Sequence, residues 1–318
     1  MLKPWKALRR RGVLGINQRN VLFTQGENPR RLYPLVDDKL ETKRLCREAG
    51  LSVASVLAKA ETHVEVKRLV AALVGRSDFV LKPARGAMGN GIMVVGEATE
   101  EGWLTLGGRR ITRDELAYHA ASIISGLYAL GGHPDVAFAE ERLSVHPEFE
   151  RVAYQGVPDV RIIVFRGVPV MAMTRLPTKQ SGGRANLHQG AVGAGIDLVT
   201  GRANHAVIRN RPIELHPDTG GSVVGFEIPS FREAVGVAVR STDRTGLGYV
   251  GADVVIDAER GPMVLELNAR PGLAIQLANR EGLLPRLDAI RSRVVPGMSI
   301  EERIALGLEI AGQVSCVA

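Results

Sequence analysis

The chain has 318 residues, of which 45% are hydrophobic, and a formal net charge of +7 at pH 7. This length is sufficient for one large or two ordinary domains with cores of their own, and no uninterrupted apolar run approaches the ~20 residues that cross a bilayer. The opening "MLKPWKALRRRG" lacks the apolar segment of a secretory signal, and Cys46 and Cys316 are too few for a disulfide or metal framework, so a cytoplasmic location is expected.

Residues 1–36 form the first predicted region, a basic N-terminal arm. They hold eight Lys and Arg residues against a single acid, Glu27, whereas basic and acidic side chains balance in the remainder. Such an arm suits an anionic surface or a protein partner. An equally good interpretation is that the segment is solvated and lies on the surface of the rest of the chain. Because the rest of the chain is neutral, a nucleic-acid partner is not expected.

Residues 37–135 are predicted to form a first subdomain in which helices alternate with hairpins. Each helix begins with a capping side chain followed three positions later by an acid: Asp38 with Glu41, Thr62 with Glu65, and Thr112 with Glu115. The last of these helices is expected to run to about Leu130. "DFVLKPA" and "IMVVG" have the apolar character of strands around the loop "RGAMGNG", and "WLTLGGRRIT" indicates a hairpin.

Residues 136–318 are predicted to form a second subdomain that begins with three strands. They lie in "DVAFAEERL" and "VPDVRIIVFRGVPVMAMTRL", with a turn at Arg166–Gly167. A glycine-rich loop, "KQSGGRANLHQGAVGAG", and an irregular insertion through "HPDTGG" follow. A helix near 231–245, a hairpin over 248–268 and a C-terminal helix opened by Ser299 complete the chain. Because few strands are linked by βαβ crossovers, an α+β fold with antiparallel sheets is predicted.

The last hairpin carries polar side chains in a strand that is otherwise apolar. In "GPMVLELNARPGL", Glu266 and Asn268 lie two residues apart and therefore share one face of the strand. A four-residue turn would pair Asp257 with Pro262. That register places Asp253 directly opposite Glu266.

These three side chains predict a magnesium site. Facing carboxylates such as Asp253 and Glu266 repel each other unless a cation lies between them. With the amide oxygen of Asn268 they form a set of hard oxygen ligands that suits Mg²⁺, which keeps phosphates and waters as further ligands. The alternative is a buried network in which Glu266 pairs with Arg161 or Arg270, but an ion pair leaves the third oxygen ligand unexplained.

The loop in "LKPARGAMGNGIMVV" predicts a contact with phosphate. Gly86, Gly89 and Gly91 lie between two strands, so the loop is neither a Walker A loop nor a dinucleotide fingerprint. The backbone N–H groups of glycines can close on phosphate oxygens, and Lys82 adds a positive charge from the preceding strand. A hairpin tip of this kind is often merely flexible, but beside a Mg²⁺ site it indicates ATP.

Arginines supply a third group of candidates. Asp159 and Arg161 share one face of the strand in "VPDVRIIVFRG", and Arg184 and Asn186 lie in the glycine-rich loop that follows. An arginine grips a phosphoryl group or a carboxylate through two hydrogen bonds. Any one of these arginines, taken alone, is more often part of a surface or structural ion pair.

The motifs, in chain order, resemble those of one family. The series "DKLETK…GLSVA", "FVLKPARGAMGNGIMVV", "AEERL", "PDVRIIVFRG", "GGRANLHQG" and "GADVV…ERGPMVLELNARPGL" is similar to the ATP-grasp ligases. Among these it most resembles the alpha-L-glutamate ligases, which add glutamate to the C-terminus of a ribosomal protein. The likeness covers residues 37 to about 280. It implies an α+β fold of ATP-grasp type, in which two subdomains with antiparallel sheets grip ATP.

The resemblance also implies roles for individual residues. Contacts with ATP fall on these positions: Lys39, Lys82, Gly86, Gly89, Gly91, Glu140, Glu141, Asp159, Arg184 and Asn186. The Mg²⁺ ions, for which Mn²⁺ can substitute, fall on Asp253, Glu266 and Asn268. Arg161 and Arg270 are the candidates for a catalytic role, which is to stabilise an acylphosphate or to grip a carboxylate.

The reaction implied by the resemblance is ATP-dependent amide formation between a carboxylate and an amine through an acylphosphate. Glutamate or another amino acid, and a peptide or other amine, are the expected substrates. The family usually carries a further domain that forms one wall of the substrate site. Here the basic arm precedes Asp37, so the arm or a protein partner is expected to complete this wall. A homo-oligomeric state of the protein is also possible at this point. Residues 203–230 instead resemble ATP-grasp proteins associated with sugar or peptide modification.

Two other functions stay open at this point. One is a nucleotide-binding module that has no ligase turnover and acts on a partner through the basic arm. The other is a phosphotransferase on the same fold, which would release ADP and a stable phosphorylated product without needing an amine. The complete set of metal ligands favours the ligase over an inactive pocket.

Overall fold

The structure is a computed structural model that describes residues 3–86, 89–129 and 131–315. The α-helices are α1 (Lys3–Arg10), α2 (Ile16–Gln18), α3 (Pro34–Asp37), α4 (Lys39–Glu48), α5 (Val66–Leu73), α6 (Arg113–Ile124), α7 (Phe231–Asp243), α8 (Ile275–Asn279), α9 (Leu284–Arg293) and α10 (Ile300–Ser315). The strands are β1 (Val56–Ala60), β2 (Phe79–Pro83), β3 (Met93–Ala98), β4 (Gly102–Thr105), β5 (Arg110–Thr112), β6 (Ala137–Glu141), β7 (Asp159–Phe165), β8 (Val168–Leu176), β9 (Val192–Ile196), β10 (Ala203–Ile208), β11 (Arg211–Ile213), β12 (Tyr249–Asp257) and β13 (Gly261–Asn268). Within the described ranges, none of the helices combines the length and the apolar sequence that a bilayer crossing requires.

Contacts divide the chain into two compact units. The larger unit contains the described residues of 1–37, 41–53 and 144–318, and the smaller unit contains those of 38–40 and 54–143. The described residues of the predicted basic arm therefore belong to the larger unit. Strand β6, which the sequence groups with the second subdomain, belongs to the smaller unit because it pairs with β1 and β2.

The smaller unit is built on one antiparallel sheet with the strand order β1-β6-β2-β3-β4-β5. Helices α5 and α6 contact each other and the sheet, and they cover its core. The predicted capping box opens α6: the Thr112 hydroxyl accepts from the Glu115 N–H at 3.2 Å, and the Glu115 carboxylate accepts from the Thr112 N–H at 2.8 Å. The helix ends at Ile124, earlier than predicted, because the chain turns at Gly126 with φ of +83°. Leu130 lies outside the described residues.

The larger unit is built on a second antiparallel sheet, with the strand order β11-β10-β9-β8-β7-β12-β13. Both faces of this sheet are buried. One face packs against α7, and the other packs against α8 and α9. Double burial explains why β7, β8 and β12 are nearly continuous apolar runs, in which any charged side chain requires compensation.

One predicted loop contains a strand. Residues 192–195, at the end of "KQSGGRANLHQGAVGAG", belong to β9, which pairs with β8 and β10. The prediction of a loop was wrong here, because the small residues permit close packing instead of flexibility. A Cβ at Gly195 would lie 2.5 Å from the carbonyl oxygen of Ala278 on α8. The insertion that follows contains β10 and β11 before it becomes irregular.

The hairpin of β12 and β13 has the predicted pairing of Asp253 with Glu266, but it reaches that pairing by a different route. The turn is shorter than predicted, and Asp257 pairs with Gly261. A bulge at Leu265 then adds one residue to β13 and shifts the register. The shift brings Asp253 opposite Glu266, which the shorter turn alone would not do.

His216 anchors the irregular insertion from a buried position. Its Nε2 lies 3.0 Å from the carbonyl oxygen of Pro177, and its Nδ1 accepts from the backbone N–H groups of Asp218 and Thr219 at 3.3 Å. Two N–H donors to Nδ1 require the neutral ring with its proton on Nε2. Burial lowers the pKa of His216, and the bond to Pro177 and the charge of Asp218 only partly oppose this effect.

We expect His216 to contribute a fall in the free energy of unfolding as the pH drops below about 6.5, the ordinary pKa of histidine. The unfolded chain binds a proton at this pH and the folded His216 does not, so acidification favours unfolding by at most about 1.4 kcal/mol per pH unit. Urea unfolding from about pH 5 to 8 measures the effect. His216→Gln should lose this part of the slope, whereas the exposed His133→Gln should keep it. Equal slopes in all three proteins would contradict the assignment.

Candidate active site

Four neighbouring strands bring charged side chains onto one face of the larger sheet. Asp253 on β12 pairs with Glu266 on β13 and with Arg161 on β7. Asp159, also on β7, pairs with Arg175 on β8. Residues that are directly paired point to the same face of a sheet, so these side chains converge.

Two guanidinium groups hold Asp253. Arg161 makes a two-point ion pair with it, from Nε to Oδ1 at 2.7 Å and from Nη2 to Oδ2 at 2.6 Å. The Nη2 of Arg175 donates to the same Oδ2 at 2.7 Å and also to Asp159, whose Oδ1 accepts from the Nε of Arg175 at 2.7 Å. The network compensates the charge of Asp253, which is 0% exposed.

Burial and charge act in opposite directions on these groups. Burial alone would raise the pKa of Asp253, but the attraction of Arg161 and Arg175 outweighs it and holds this pKa well below its usual range. Burial raises the pKa of Asp159 to about 6, although Arg175 opposes the shift. Asp253 is therefore ionised at neutral pH, which is the form that binds a metal.

The third carboxylate of the group is accessible. The side chain of Glu266 is 32% exposed and lies 4.0 Å from Arg161. The Nδ2 of Asn268 lies 3.4 Å both from Oδ2 of Asp253 and from Oε1 of Glu266. Asn268 donates from this nitrogen to both carboxylates, so its amide would have to turn over to present Oδ1 to a cation. Among the described residues, no group of three or more His, Cys, Asp and Glu side chains is arranged to hold a metal. Three carboxylates face two guanidinium groups, and this excess of negative charge together with the oxygen donors fits Mg²⁺.

Arg270, the second predicted catalytic arginine, makes its contacts elsewhere in the larger unit. Its Nη2 lies 3.4 Å from Asp37, its guanidinium stacks 5.3 Å from the centroid of the Tyr33 ring, and its side chain is 51% exposed. The alternative in which Glu266 pairs with Arg161 or Arg270 is therefore present only as the 4.0 Å contact with Arg161. Glu266 keeps a carboxylate that a ligand can reach.

In the smaller unit, Lys82 and Glu140 form a buried ion pair. They extend from the neighbouring strands β2 and β6, and the Lys82 ammonium also lies 5.4 Å from the centroid of the Phe138 ring. Glu141, next along β6, accepts from the Ser55 N–H at 2.8 Å. Two residues that are both predicted to contact ATP, Lys82 and Glu140, thus bind each other. The contact of Lys82 with phosphate stays a prediction.

The glycine-rich loop of the smaller unit is tied at its start. The Nζ of Lys39 donates to the carbonyl oxygen of Gly86 at 2.6 Å. Further along, Gly89 and Gly91 have φ of +77° and +76°, a conformation that favours glycine. Residues 87 and 88 lie outside the described residues, so the role of this loop as a phosphate flap stays a prediction.

Arg184 and Asn186 contact residues of their own loop between β8 and β9. Arg184 is exposed, and its Nη1 lies 3.4 Å from Oε1 of Gln189. The side-chain oxygen of Asn186 accepts from the His188 N–H at 3.0 Å and opens a short 3-10 turn. Their roles toward the nucleotide stay predictions.

Sequence reasoning missed Arg175, which bridges the two buried carboxylates. The available signal was a charged residue in "AMTRL", within an otherwise apolar strand. The turn at Arg166–Gly167 would by itself place Thr174 opposite Asp159. A bulge at Val170 shifts the register by one residue and places Arg175 there instead.

Comparison with known families identifies the fold of the chain. A family model described as sugar-transfer associated ATP-grasp matches residues 18–292. The chain belongs to this family. The match confirms the predicted ATP-grasp fold, and it spans every candidate residue described above. The two antiparallel sheets with their helices agree with the predicted α+β class.

Two relatives of this ATP-grasp chain are probable alpha-L-glutamate ligases. The one from Parasynechococcus marenigrum (strain WH8102) is 28% identical over 237 residues, which cover 74% of this chain and 36% of the relative. The one from Pectobacterium carotovorum subsp. carotovorum (strain PC1) is 25% identical over 236 residues, which cover 74% of this chain and 56% of the relative. The chain thus spans only 36% and 56% of the length of these relatives. Among solved structures, the ATP-grasp ligase PsnB complexed with a minimal precursor has 19% identity and a TM-score of 0.44, covering 84% of this chain and 64% of that chain.

Proposed function

We propose that this ATP-grasp protein is an ATP- and Mg²⁺-dependent carboxylate–amine ligase. The observation that carries the proposal is the accessible carboxylate of Glu266, which faces the ion-paired Asp253 and lies beside Asn268. Arg161 and Arg175 already compensate Asp253, whereas Glu266 has the weaker 4.0 Å contact with Arg161. A metal-bound nucleotide accounts both for the excess of negative charge and for the carboxylate left accessible.

The metal would be held by Asp253, Glu266 and Asn268, and when bound it would neutralise charge on the transferred phosphoryl group. The chain's own residues prepare the site for this. Arg161 and Arg175 occupy both oxygens of Asp253, so the orientation of this ligand is fixed before any ligand binds. The proposed nucleotide contacts are Lys39, Lys82, Gly86, Gly89, Gly91, Glu140, Glu141, Asp159, Arg184 and Asn186.

The proposed reaction has two steps. A carboxylate oxygen of the acid substrate attacks the γ-phosphorus of ATP, the bond to ADP breaks, and an acylphosphate forms. An amine then attacks the acyl carbon, phosphate departs with the bonding pair, and the amine loses a proton. No nucleophilic side chain takes part, so the protein acts by positioning the substrates and by stabilising charge.

Arg161 and Arg270 are proposed to stabilise the acylphosphate or to grip a substrate carboxylate. The two differ in availability. The Nε and Nη2 of Arg161 already bind Asp253, and its side chain is 11% exposed. Arg270 is 51% exposed, and its contact with Asp37 is long at 3.4 Å. We therefore assign the substrate carboxylate to the more exposed Arg270, and we assign the phosphoryl group to Arg161 because it lies beside the proposed metal ligands Asp253 and Glu266.

Glutamate or another amino acid is the proposed acid substrate, and a peptide or other amine is the proposed acceptor. The two relatives named as probable alpha-L-glutamate ligases support this choice. We also propose that the N-terminal region or a protein partner completes the acceptor side, because Arg19 of the N-terminal region contacts Pro271, the residue directly after Arg270.

Release of ADP from Mg²⁺-ATP across a panel of amino acids and peptides, with mass spectrometry of the products, tests the proposal. We expect a product that is one condensed residue heavier than the acceptor and that is absent with Glu266→Gln. A stable phosphorylated product formed without an amine would instead identify a phosphotransferase. Tight binding of Mg²⁺-ATP with no turnover across the panel would favour a nucleotide-binding module.

A further inference from the structure

A segment of the predicted basic arm runs along the residues that follow the proposed metal-binding strand. We call residues 12–28 the N-terminal strap. At its start, the carbonyl oxygen of Gly12 accepts from the Leu284 N–H at 3.0 Å. The backbone N–H and carbonyl of Leu14 then hydrogen-bond with the side chain of Gln276 on α8, at 2.8 and 3.1 Å. The start of the strap is thereby hydrogen-bonded to residues that follow "NARPGL" in the sequence.

The middle of the strap contacts that motif directly. Arg19 is 8% exposed and donates from Nη1 to the carbonyl oxygen of Pro271 at 3.0 Å. Pro271 also lies close to β12, where a Cβ at Gly251 would be 2.7 Å from the Cβ of the proline. Gly251 is the residue that pairs with Asn268. Arg19 thus fixes the position of Pro271, three residues after Asn268, which is a proposed metal ligand.

The end of the strap inserts an amide into the hairpin. Asn28 is 2% exposed, and its Nδ2 donates to the carbonyl oxygens of Tyr249 and Ala269 at 2.7 and 3.0 Å. Its Oδ1 accepts from the Tyr249 N–H at 2.9 Å. The last backbone pair of the two strands is Gly251 with Asn268. Asn28 therefore continues the ladder for one further step and satisfies buried backbone groups that would otherwise lack partners.

We propose that Asn28 is a positioning residue for the metal site and that Arg19 supports it. Asn28 fixes Ala269, the residue directly after the ligand Asn268, at a set distance from β12. Arg19 fixes the chain just beyond Arg270. Hydrogen bonds that orient a ligand in this way commonly change metal affinity by about 10–100-fold. The inference rests on the proposed function, since it takes Asn268 as a ligand.

Two measurements on the full-length Asn28→Ala variant test the proposal. Hydrogen exchange without metal or nucleotide should be faster in peptides that cover 263–271. The dissociation constant for Mg²⁺ in the presence of AMP-PNP should rise about 10–100-fold. Glu27→Gln is the matched control, because it removes the neighbouring ion pair of the strap with Arg166, at 2.9 and 3.0 Å, and should change neither measurement.

A second control separates positioning from general stability. Val237→Ala truncates a buried side chain on α7 and destabilises the same unit without altering the strap. The proposal is overturned if exchange over 263–271 in Asn28→Ala matches wild type, or if its metal affinity matches that of Val237→Ala. If the wild-type protein itself binds no Mg²⁺ with AMP-PNP, the proposed function fails, and the exchange data alone decide whether Asn28 positions the end of the hairpin.

Discussion

Replacing Glu266 with glutamine is expected to lower ATP-dependent product formation by about 10²–10³-fold while the fold is retained. The amide is uncharged and is a poorer ligand than a carboxylate for a hard cation. The structural contacts of Glu266 are weak, since it is 32% exposed and lies 4.0 Å from its nearest guanidinium, that of Arg161. Removing its charge also relieves its repulsion with Asp253. Kinetics at increasing Mg²⁺ should show a raised metal requirement together with a lowered kcat.

The matched control is Glu227→Gln, which removes an exposed carboxylate that pairs with Arg202 at 2.9 Å. We expect it to keep wild-type rates. Asp253→Asn is a less informative probe, because Asp253 is fully buried and its loss leaves the charge of Arg161 poorly compensated. Unchanged rates and an unchanged Mg²⁺ requirement in a folded Glu266→Gln protein would show that the metal site is not on this hairpin.

Residue pattern predicts most of the strands and helices here, but it does not predict the register on which the site depends. Apolar runs and turn residues locate β7, β8, β12 and β13. Bulges at Val170 and Leu265 then decide which side chains face each other. A bulge changes backbone pairing by one residue without altering composition, so no count of apolar positions reveals it. The facing pair Asp253 and Glu266 was predicted with a turn that proved wrong, and Arg175 was missed.

Counting charged residues likewise fails to predict the structure of the N-terminal region. The excess of Lys and Arg predicts a basic arm, because counting treats each cation as exposed. In the structure Arg19 and Asn28 are buried, and so is Phe23 between them. The hydrogen-bond partners of Arg19 and Asn28 are more than 200 residues away in sequence, in the "NARPGL" motif and on β12. Local pattern carries no information on such contacts, whereas a buried polar side chain in the structure identifies them at once.

Arg175→Met is expected to lower the free energy of unfolding by about 3–5 kcal/mol at neutral pH. The methionine keeps most of the apolar stem but removes the guanidinium that bridges Asp159 and Asp253. Asp253 then retains Arg161, whereas the buried Asp159 loses the two-point ion pair that compensates it. Urea unfolding measures the loss, and the slope of the transition shows whether unfolding stays two-state.

The same substitution at an exposed ion pair shows how much of the loss in unfolding free energy is due to burial of the charges. Arg202 and Glu227 have side chains that are each 61% exposed, so Arg202→Met should cost less than about 1 kcal/mol. In the double variant Asp159→Leu with Arg175→Met both buried charges are absent, and stability should recover in part, since an apolar pair needs no compensation. If the double variant were as unstable as Arg175→Met, the lost packing of the arginine would be responsible. If Arg175→Met cost no more than Arg202→Met, Asp159 would have to be neutral in the folded protein, and the network would not depend on its charge.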